Sequence, residues 1–190
     1  MRLNNYLNEE LEKTYNKIKK ECSTIIDFYK AWIGREHFFW RGSRKHWSWD
    51  KITPRTDRQP KDLPQQLHDE LNWDFNQKFG WKVRSEGVFV TSSREQARTY
   101  GKPYIFFPAN GFKYVFNPKI TDLYVDLIAM GILRNDQVEE FTWYFHKEDI
   151  VNGYKSNQLA EAFRNSVEVA FKCKYYYLIH ETFAGDLLGD

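Results

Sequence analysis

Cysteine is scarce in this sequence of 190 residues, which contains only Cys22 and Cys173. The two lie far apart, and neither belongs to a CxxC or Cys/His pattern with the spacing of metal ligands. The sequence therefore indicates neither a zinc site nor a disulfide framework, and we expect a reducing compartment.

Long apolar segments are also missing. No window approaches roughly eighteen uninterrupted apolar residues, the length that a membrane-spanning helix needs. Residues 1–7 are followed by dense charge rather than by the apolar region of a signal peptide. We therefore expect a soluble, cytoplasmic protein that has no membrane partner.

The sequence has no excess of charge of one sign. Its 28 basic and 26 acidic side chains give a formal net charge of +2. This balance argues neither for nor against a nucleic-acid partner, so any partner must be recognised locally.

Aromatic residues, in contrast, are abundant. They make up 18% of the chain, with seven Trp, twelve Tyr and fifteen Phe, which predicts a packed core and some surface walled by aromatic rings. The length suits one domain with a real core, and we expect residues 1–190 to form a single domain.

The order of the apolar segments predicts the α+β class, because short aromatic strands are interrupted by helices without a regular βαβ alternation. We expect two small antiparallel or mixed sheets packed face to face and flanked by helices, with an N-terminal amphipathic helix within residues 1–34. The predicted helices span residues 8–33, 63–79, 94–101, 120–133 and 156–170, and the predicted strands span 37–40, 88–90, 103–108, 112–118, 141–145 and 174–179, with 109–111 as a hairpin turn.

Arg41 is the first candidate site residue. It follows the aromatic strand 37–40 and precedes Gly42, so its guanidinium can point into a cleft and hold a phosphate with two hydrogen bonds. The alternative is that Arg41 pairs with a carboxylate at the edge of the core.

A second candidate is the run of hydroxyls Thr91, Ser92 and Ser93, which ends the strand 88–90 and precedes the helix 94–101. Small donors at the end of a buried strand are accessible to a polar ligand. The alternative is purely structural, with Ser92 or Ser93 capping the helix and no ligand involved.

A third candidate is the acidic turn that contains Gln137, Glu139 and Glu140 and leads into the predicted strand 141–145. Carboxylates at the start of a strand suit a site that stabilises developing positive charge. They are equally common as surface turn residues.

A basic loop with interleaved tryptophans follows Arg41. Arg44, Trp47, Trp49 and Arg58 could form a surface for base stacking and phosphate contact. They could also form a solvated loop that the two tryptophans pin to the core.

Taken together, these features resemble the Arg, Ser-Thr-Ser, Glu-x-Glu signature of the mono-ADP-ribosyltransferases. Residues 39–42 are similar to the family's aromatic-x-Arg and Tyr-Arg-Gly element, residues 89–93 to its Phe-x-Ser-Thr-Ser element with the Ser-Thr order exchanged, and residues 137–139 to its Gln-x-Glu variant. The resemblance extends from residue 38 to residue 145. Small phage proteins often carry divergent members of this family.

The resemblance implies a core over residues 37–183 that binds NAD as a substrate in a cleft between the two sheets. Arg41, next to Gly42, would hold the pyrophosphate, while Thr91 or Ser92, beside Ser93, would position the nicotinamide ribose. Glu139 would stabilise the cationic sugar, with Gln137 as the other residue of the motif. If the register places Glu140 inward instead, Glu140 takes this role and Gln137 has none. Tyr100 or Phe112 would stack on the nicotinamide. ADP-ribose would pass to a protein or nucleic-acid acceptor, or to water in an NAD glycohydrolase, and no metal is implied.

Residues 38–58 also resemble the start of FRG-type domains, which share a Phe-x-Arg-Gly element and have no well-defined activity. This resemblance implies the alternative function, a non-catalytic module that binds nucleic acid or protein through Arg41, Arg44, Trp47 and Trp49.

Overall fold

The computed structural model describes residues 2–33, 38–45, 48–135, 137–184 and 187. The chain divides into two compact units, each built from segments that are distant in sequence. The first unit comprises Met1–Thr53, Arg94–Phe112 and Cys173–Asp190, and the second comprises Pro54–Ser93 and Lys113–Lys172.

The helices and strands alternate irregularly along the chain. The α-helices are α1 (Arg2–Glu21), α2 (Ser23–Phe28), α3 (Gln65–Phe79), α4 (Val83–Glu86), α5 (Arg94–Thr99), α6 (Leu123–Ala129), α7 (Glu140–Gly153) and α8 (Leu159–Arg164). The strands are β1 (Trp40–Ser43), β2 (Trp49–Ile52), β3 (Val88–Val90), β4 (Lys102–Pro108), β5 (Lys113–Phe116), β6 (Leu133–Arg134), β7 (Gln137–Val138), β8 (Val169–Lys172) and β9 (Tyr176–Ile179). A π-helical turn covers Tyr29–Ile33, and a 3-10 helix covers Glu181–Phe183.

The first unit is built on an antiparallel sheet with the order β1-β4-β9-β2. Its two central strands carry the core, since Tyr104–Phe107 and Tyr176–Ile179 are buried. Tyr29 joins the N-terminal helices to this core: its ring is buried, and its hydroxyl donates a 2.7 Å hydrogen bond to the Phe106 carbonyl. A polar anchor of this kind fixes which helical face meets the sheet.

The predicted N-terminal helix is present, but it is interrupted at Cys22. Asn110 accounts for the interruption. Its backbone N–H donates to the Glu21 carbonyl at 2.7 Å, and its side chain donates to the Lys20 carbonyl and accepts from the Thr24 N–H, both at 3.0 Å. These bonds replace the bonds that a continuous helix would make at this turn.

The second unit contains an antiparallel sheet with the order β3-β8-β5 and a short hairpin formed by β6 and β7. Its hydrophobic cluster combines one face of α3, through Leu67, Leu71 and Phe75, with the buried rings of Trp81 and Trp143. The small antiparallel sheets and the separate helices confirm the α+β class. The expected single domain and the face-to-face packing of the sheets stay predictions.

The predicted hairpin between residues 103–108 and 112–118 is wrong. β4 lies between β1 and β9, whereas β5 pairs with β8 in the other sheet. Because both edges of β4 are occupied, no edge remains for β5, and the turn at Ala109–Gly111 connects two sheets instead of closing a hairpin.

The predicted strand 141–145 is also wrong, because these residues lie in α7. Trp143 is buried while Phe141, Tyr144 and Phe145 are exposed, and this pattern fits a helix that packs through one residue per turn. The sequence misled because aromatic residues are typical of strands.

The predicted helix 156–170 divides into α8 and β8. Ser166 has a φ of 52°, a left-handed conformation that is uncommon outside glycine and ends the helical path. Similarly, the predicted helix 120–133 divides into α6, which Asp122 caps with its carboxylate, and the strand β6.

Both cysteines are free thiols, and burial raises the pKa of each to about 12. No helix in the part of the chain that the structure describes combines the length and the apolar character needed to cross a membrane.

Candidate functional site

The hydroxyl run lies where the sequence predicts it, between β3 and α5. Thr91 is buried, and its Oγ1 accepts a 3.1 Å hydrogen bond from the Ser93 N–H. This bond forms a tight local turn of the kind that hydroxyl side chains stabilise. The hydroxyls are therefore held at a fixed edge of the sheet in the second unit.

Ser92 connects this edge to the segment between α8 and β8. Its hydroxyl donates a 2.6 Å hydrogen bond to the Phe163 carbonyl and lies 3.4 Å from the Ser166 hydroxyl oxygen. The Phe163 carbonyl belongs to the last turn of α8, where it also accepts a 3.2 Å hydrogen bond from the Ser166 N–H. Ser92 thus orients the residues that lead into β8.

Glu168 stands directly before β8, beside the hydroxyl run. Val90 pairs with Val169 in the antiparallel register of β3 and β8, so the next residues along the two strands are Thr91 and Glu168. On the other side, the Glu168 N–H donates to the Thr121 carbonyl at 3.1 Å. The backbone register therefore places Glu168 beside Thr91, the first residue of the hydroxyl run.

Sequence reasoning missed Glu168 because the apolar residues before it continue a helical spacing. The signal that could have found it is the alternation in Val167, Glu168 and Val169, which has the period of a strand. Val167, Glu168 and Val169 fit both a helical and a strand spacing. Pairing with the distant strand β3 decides that this segment becomes a strand.

The Glu168 carboxylate is largely removed from water and is paired with Arg84. The Glu168 Oε1 and an Arg84 terminal nitrogen lie 3.4 Å apart, and the two side chains are 20% and 16% exposed. Burial raises the pKa of Glu168, while the Arg84 charge opposes that increase. Arg84 also lies over the Phe89 ring, 4.5 Å from its centroid.

A polar network behind Arg84 fixes its position. The Asn72 Oδ1 accepts from the backbone N–H groups of Arg84 and Ser85 at 2.9 and 3.2 Å, and the Asn72 Nδ2 donates to the Ser85 hydroxyl at 2.8 Å. The His68 Nε2 lies 3.1 Å from the same hydroxyl. Burial lowers the pKa of His68, and the Arg84 charge lowers it further. The start of α4, which carries Arg84, is therefore bonded to α3.

The acidic residues proposed from the sequence lie elsewhere in the second unit. Gln137 is in the short strand β7, Glu139 directly precedes α7, and Glu140 is its first residue. All three are exposed. They open a helix instead of the expected strand, and a catalytic role for them stays a prediction.

Arg41 lies within β1 of the first unit, opposite Tyr104, and not after the end of a strand as expected. It is half-buried, and its guanidinium lies 6.0 Å from the centroid of the Tyr176 ring. Burial raises the pKa of Tyr176, and the Arg41 charge opposes this increase. The ring gives the guanidinium a fixed surface to lie on.

Gly42 is required by packing. A Cβ at this position would lie 2.3 Å from the Ala97 carbonyl oxygen and 2.8 Å from the Tyr100 Cβ. The glycine thus lets α5 approach β1 closely. Tyr100 is exposed and Phe112 is half-buried, so a stacking role for either ring stays a prediction.

A cavity of about 300 Å³ is present in the first unit. The two Arg94 nitrogens that face Glu181 bind its carboxylate at 2.7 and 3.0 Å, and the guanidinium also lies 5.7 Å from the Trp40 ring centroid. Arg98 pairs with Glu95 at 3.2 Å. Much of the positive charge at this cavity is therefore already neutralised. The lining residues are Arg94, Arg98, Gly101, Lys102, Pro103, His180 and Glu181.

The basic and aromatic loop is only partly described. Arg44 and Trp49 are exposed, and Trp49 lies in β2. Trp47 lies outside the described residues. Arg58 does not extend freely, because its guanidinium lies 5.1 Å from the Phe89 ring centroid in the second unit.

No family model, curated protein or solved structure matches the chain. Within the described ranges, no group of three or more His, Cys, Asp or Glu side chains could hold a metal ion. The strongest candidate site has two parts that the register of β3 and β8 brings side by side: the hydroxyls of Thr91, Ser92 and Ser166, and the ion pair of Glu168 with Arg84. We call these five residues the hydroxyl–carboxylate cluster.

Proposed function

We propose that the chain is an NAD-dependent mono-ADP-ribosyltransferase, with Glu168 as its essential carboxylate. The observation that carries this proposal is the hydroxyl–carboxylate cluster, in which a glutamate opens a strand beside the hydroxyl run. The family signature that the sequence resembles combines these same chemical groups. The proposal moves the carboxylate role from Glu139 and Glu140 to Glu168, which lies outside the region of resemblance, residues 38–145.

The reaction breaks the bond between C1′ of the nicotinamide ribose and the nicotinamide nitrogen. The electron pair leaves with nicotinamide, which departs as a neutral molecule, and positive charge develops on the sugar. A nucleophilic atom of the acceptor then bonds to C1′ and releases its proton to solvent. The Glu168 carboxylate would stabilise the cationic sugar and accept a hydrogen bond from the ribose 2′-hydroxyl.

The surroundings of Glu168 suit this role. A carboxylate shielded from water interacts more strongly with a developing cation than an exposed one. Arg84 favours the ionised form and would act as a positioning residue, since it pairs with Glu168 at 3.4 Å. Ser92, bonded to the Phe163 carbonyl, would hold the segment before Glu168 in place.

Arg41 would bind the pyrophosphate of NAD, as the resemblance implies. The guanidinium is half-buried and packs against the Tyr176 ring, which restricts its motion and suits it to anion binding. The ADP-ribosyltransferase-like arrangement of the two sheets is part of the same proposal.

The test is the rate of nicotinamide release by the wild type and by Glu168→Gln, with Glu139→Gln and Glu140→Gln as matched changes. Glu168→Gln keeps size and removes charge, so we expect turnover to fall by roughly two or more powers of ten while NAD affinity changes little. Arg41→Ala should instead weaken NAD binding, because a pyrophosphate contact exists in the ground state.

Full activity of Glu168→Gln together with inactive Glu139→Gln or Glu140→Gln would return the role to the acidic turn. A wild-type protein that neither binds nor consumes NAD with any acceptor tried would favour the non-catalytic module. The exposed Arg44 and Trp49 are the observation that supports the module, and Arg44→Ala should then reduce partner binding.

A further inference from the structure

The outer face of α7 in the second unit carries three strongly exposed aromatic side chains. Phe141 is 87% exposed, Phe145 is 71% exposed and Tyr144 is 62% exposed. Residues three and four positions apart lie on one side of a helix, so these rings form one continuous stripe. A contiguous apolar patch that faces water is typical of an interaction site.

The opposite face of α7 is firmly bound to its own unit. Trp143 is buried, and its indole N–H donates a 2.8 Å hydrogen bond to Glu70. Lys147 pairs with Asp74 at 3.0 Å and with Glu70 at 3.7 Å. These contacts fix the rotation of α7 about its axis, so the aromatic stripe cannot turn inward without breaking them.

Exposed carboxylates accompany the aromatic stripe. Glu140, Tyr144 and Glu148 follow one another at intervals of four residues, and so do Phe141, Phe145 and Asp149, and all six are exposed. The two rows are adjacent on the helix. Lys147 forms ion pairs with Asp74 and Glu70, so it does not neutralise the exposed carboxylates. The exposed face of α7 is therefore negatively charged.

The negative charge of this α7 face indicates which kind of partner can bind it. A second copy of the chain, packed α7 against α7, would bring carboxylates close to carboxylates. An anionic membrane surface or a nucleic acid would be repelled as well. A protein segment with lysines or arginines beside apolar residues would pair its cations with the carboxylates and rings and its apolar side chains with the aromatic stripe.

We propose that this face, formed by Glu140, Phe141, Tyr144, Phe145, Glu148 and Asp149, binds a basic amphipathic helix of a partner protein. The inference does not depend on the role proposed for Glu168, since it rests on α7 and not on the hydroxyl–carboxylate cluster.

The test is fluorescence anisotropy with two labelled helical peptides of equal length, one built from Lys and Leu and one from Glu and Leu in the same pattern. The wild type should bind the basic peptide and not the acidic one, and added salt should weaken the binding. Phe141→Ala with Phe145→Ala should weaken it about tenfold or more. Glu148→Gln with Asp149→Asn should weaken it and reduce its salt dependence.

Trp73→Ala is the matched control, because Trp73 is 64% exposed on α3 of the same unit. This variant should bind as the wild type does, and circular dichroism should show that all variants are folded. Equal binding of both peptides, no binding of either, or the same loss in Trp73→Ala would overturn the proposal. Sedimentation that shows a dimer which Phe141→Ala dissociates would overturn it too, in favour of a second copy.

Discussion

Replacing Arg84 with Met should destabilise the protein, and the loss should depend on pH. The change keeps an apolar stem over Phe89 but removes the charge 3.4 Å from Glu168. Breaking a buried ion pair on one side costs about 3–5 kcal/mol. Because the pair has a single contact and is partly exposed, we expect about 2–3 kcal/mol at neutral pH.

The sign of the pH dependence follows from the raised pKa of Glu168. In the folded protein this carboxyl keeps its proton to a higher pH than in the unfolded chain, so the folded state binds more protons between the two pKa values. The free energy of unfolding therefore falls as the pH rises through that window. Without Arg84 the pKa of Glu168 rises further, so the fall extends to higher pH.

Urea unfolding followed by tryptophan fluorescence measures this effect. The destabilisation by Arg84→Met should be smaller at about pH 4 than at about pH 8, because the unpaired charge on Glu168 appears only as the carboxyl loses its proton. The double variant Arg84→Met with Glu168→Gln should recover much of the loss, since no unpaired charge remains. Equal destabilisation at both pH values would refute the reasoning and assign the loss to packing.

Three further outcomes are expected. Gly42→Ala should lower the melting temperature and cost about 1–3 kcal/mol, because its Cβ would lie 2.3 Å from the Ala97 carbonyl oxygen. Asn110→Ala should cost about 1–2 kcal/mol in urea unfolding, since backbone groups at the break between α1 and α2 lose their partner. Asn72→Ala should slow nicotinamide release without matching loss of NAD binding, because the Arg84 backbone loses the Asn72 Oδ1.

The order of β3, the hydroxyl run and α5 could be predicted from the sequence because its signals are local. Val88–Val90 are typical of a buried strand, and Ser or Thr residues are common in the turn before a helix. These signals need no knowledge of the distant chain, and the structure confirms the order.

The segment that lies beside the hydroxyl run, residues 166–168, could not be predicted, because its position depends on contacts between distant residues. Ser166 leaves the helical region with a φ of 52°, and Glu168 lies directly before β8, which pairs with β3. No local pattern records either fact. The prediction of a strand at residues 141–145 was wrong for a related reason. These residues lie in α7, and Trp143, the one buried ring among them, packs against distant parts of the chain.

The pH dependence of nicotinamide release in a single turnover, compared between the wild type and Arg84→Met, tests the role of Glu168 most directly. If Glu168 is the essential carboxylate, the rate should fall at low pH with an apparent pKa above the usual value for glutamate, since burial raises it. Loss of the Arg84 charge should shift that fall to higher pH. A low-pH fall at the same position in both proteins would contradict the account.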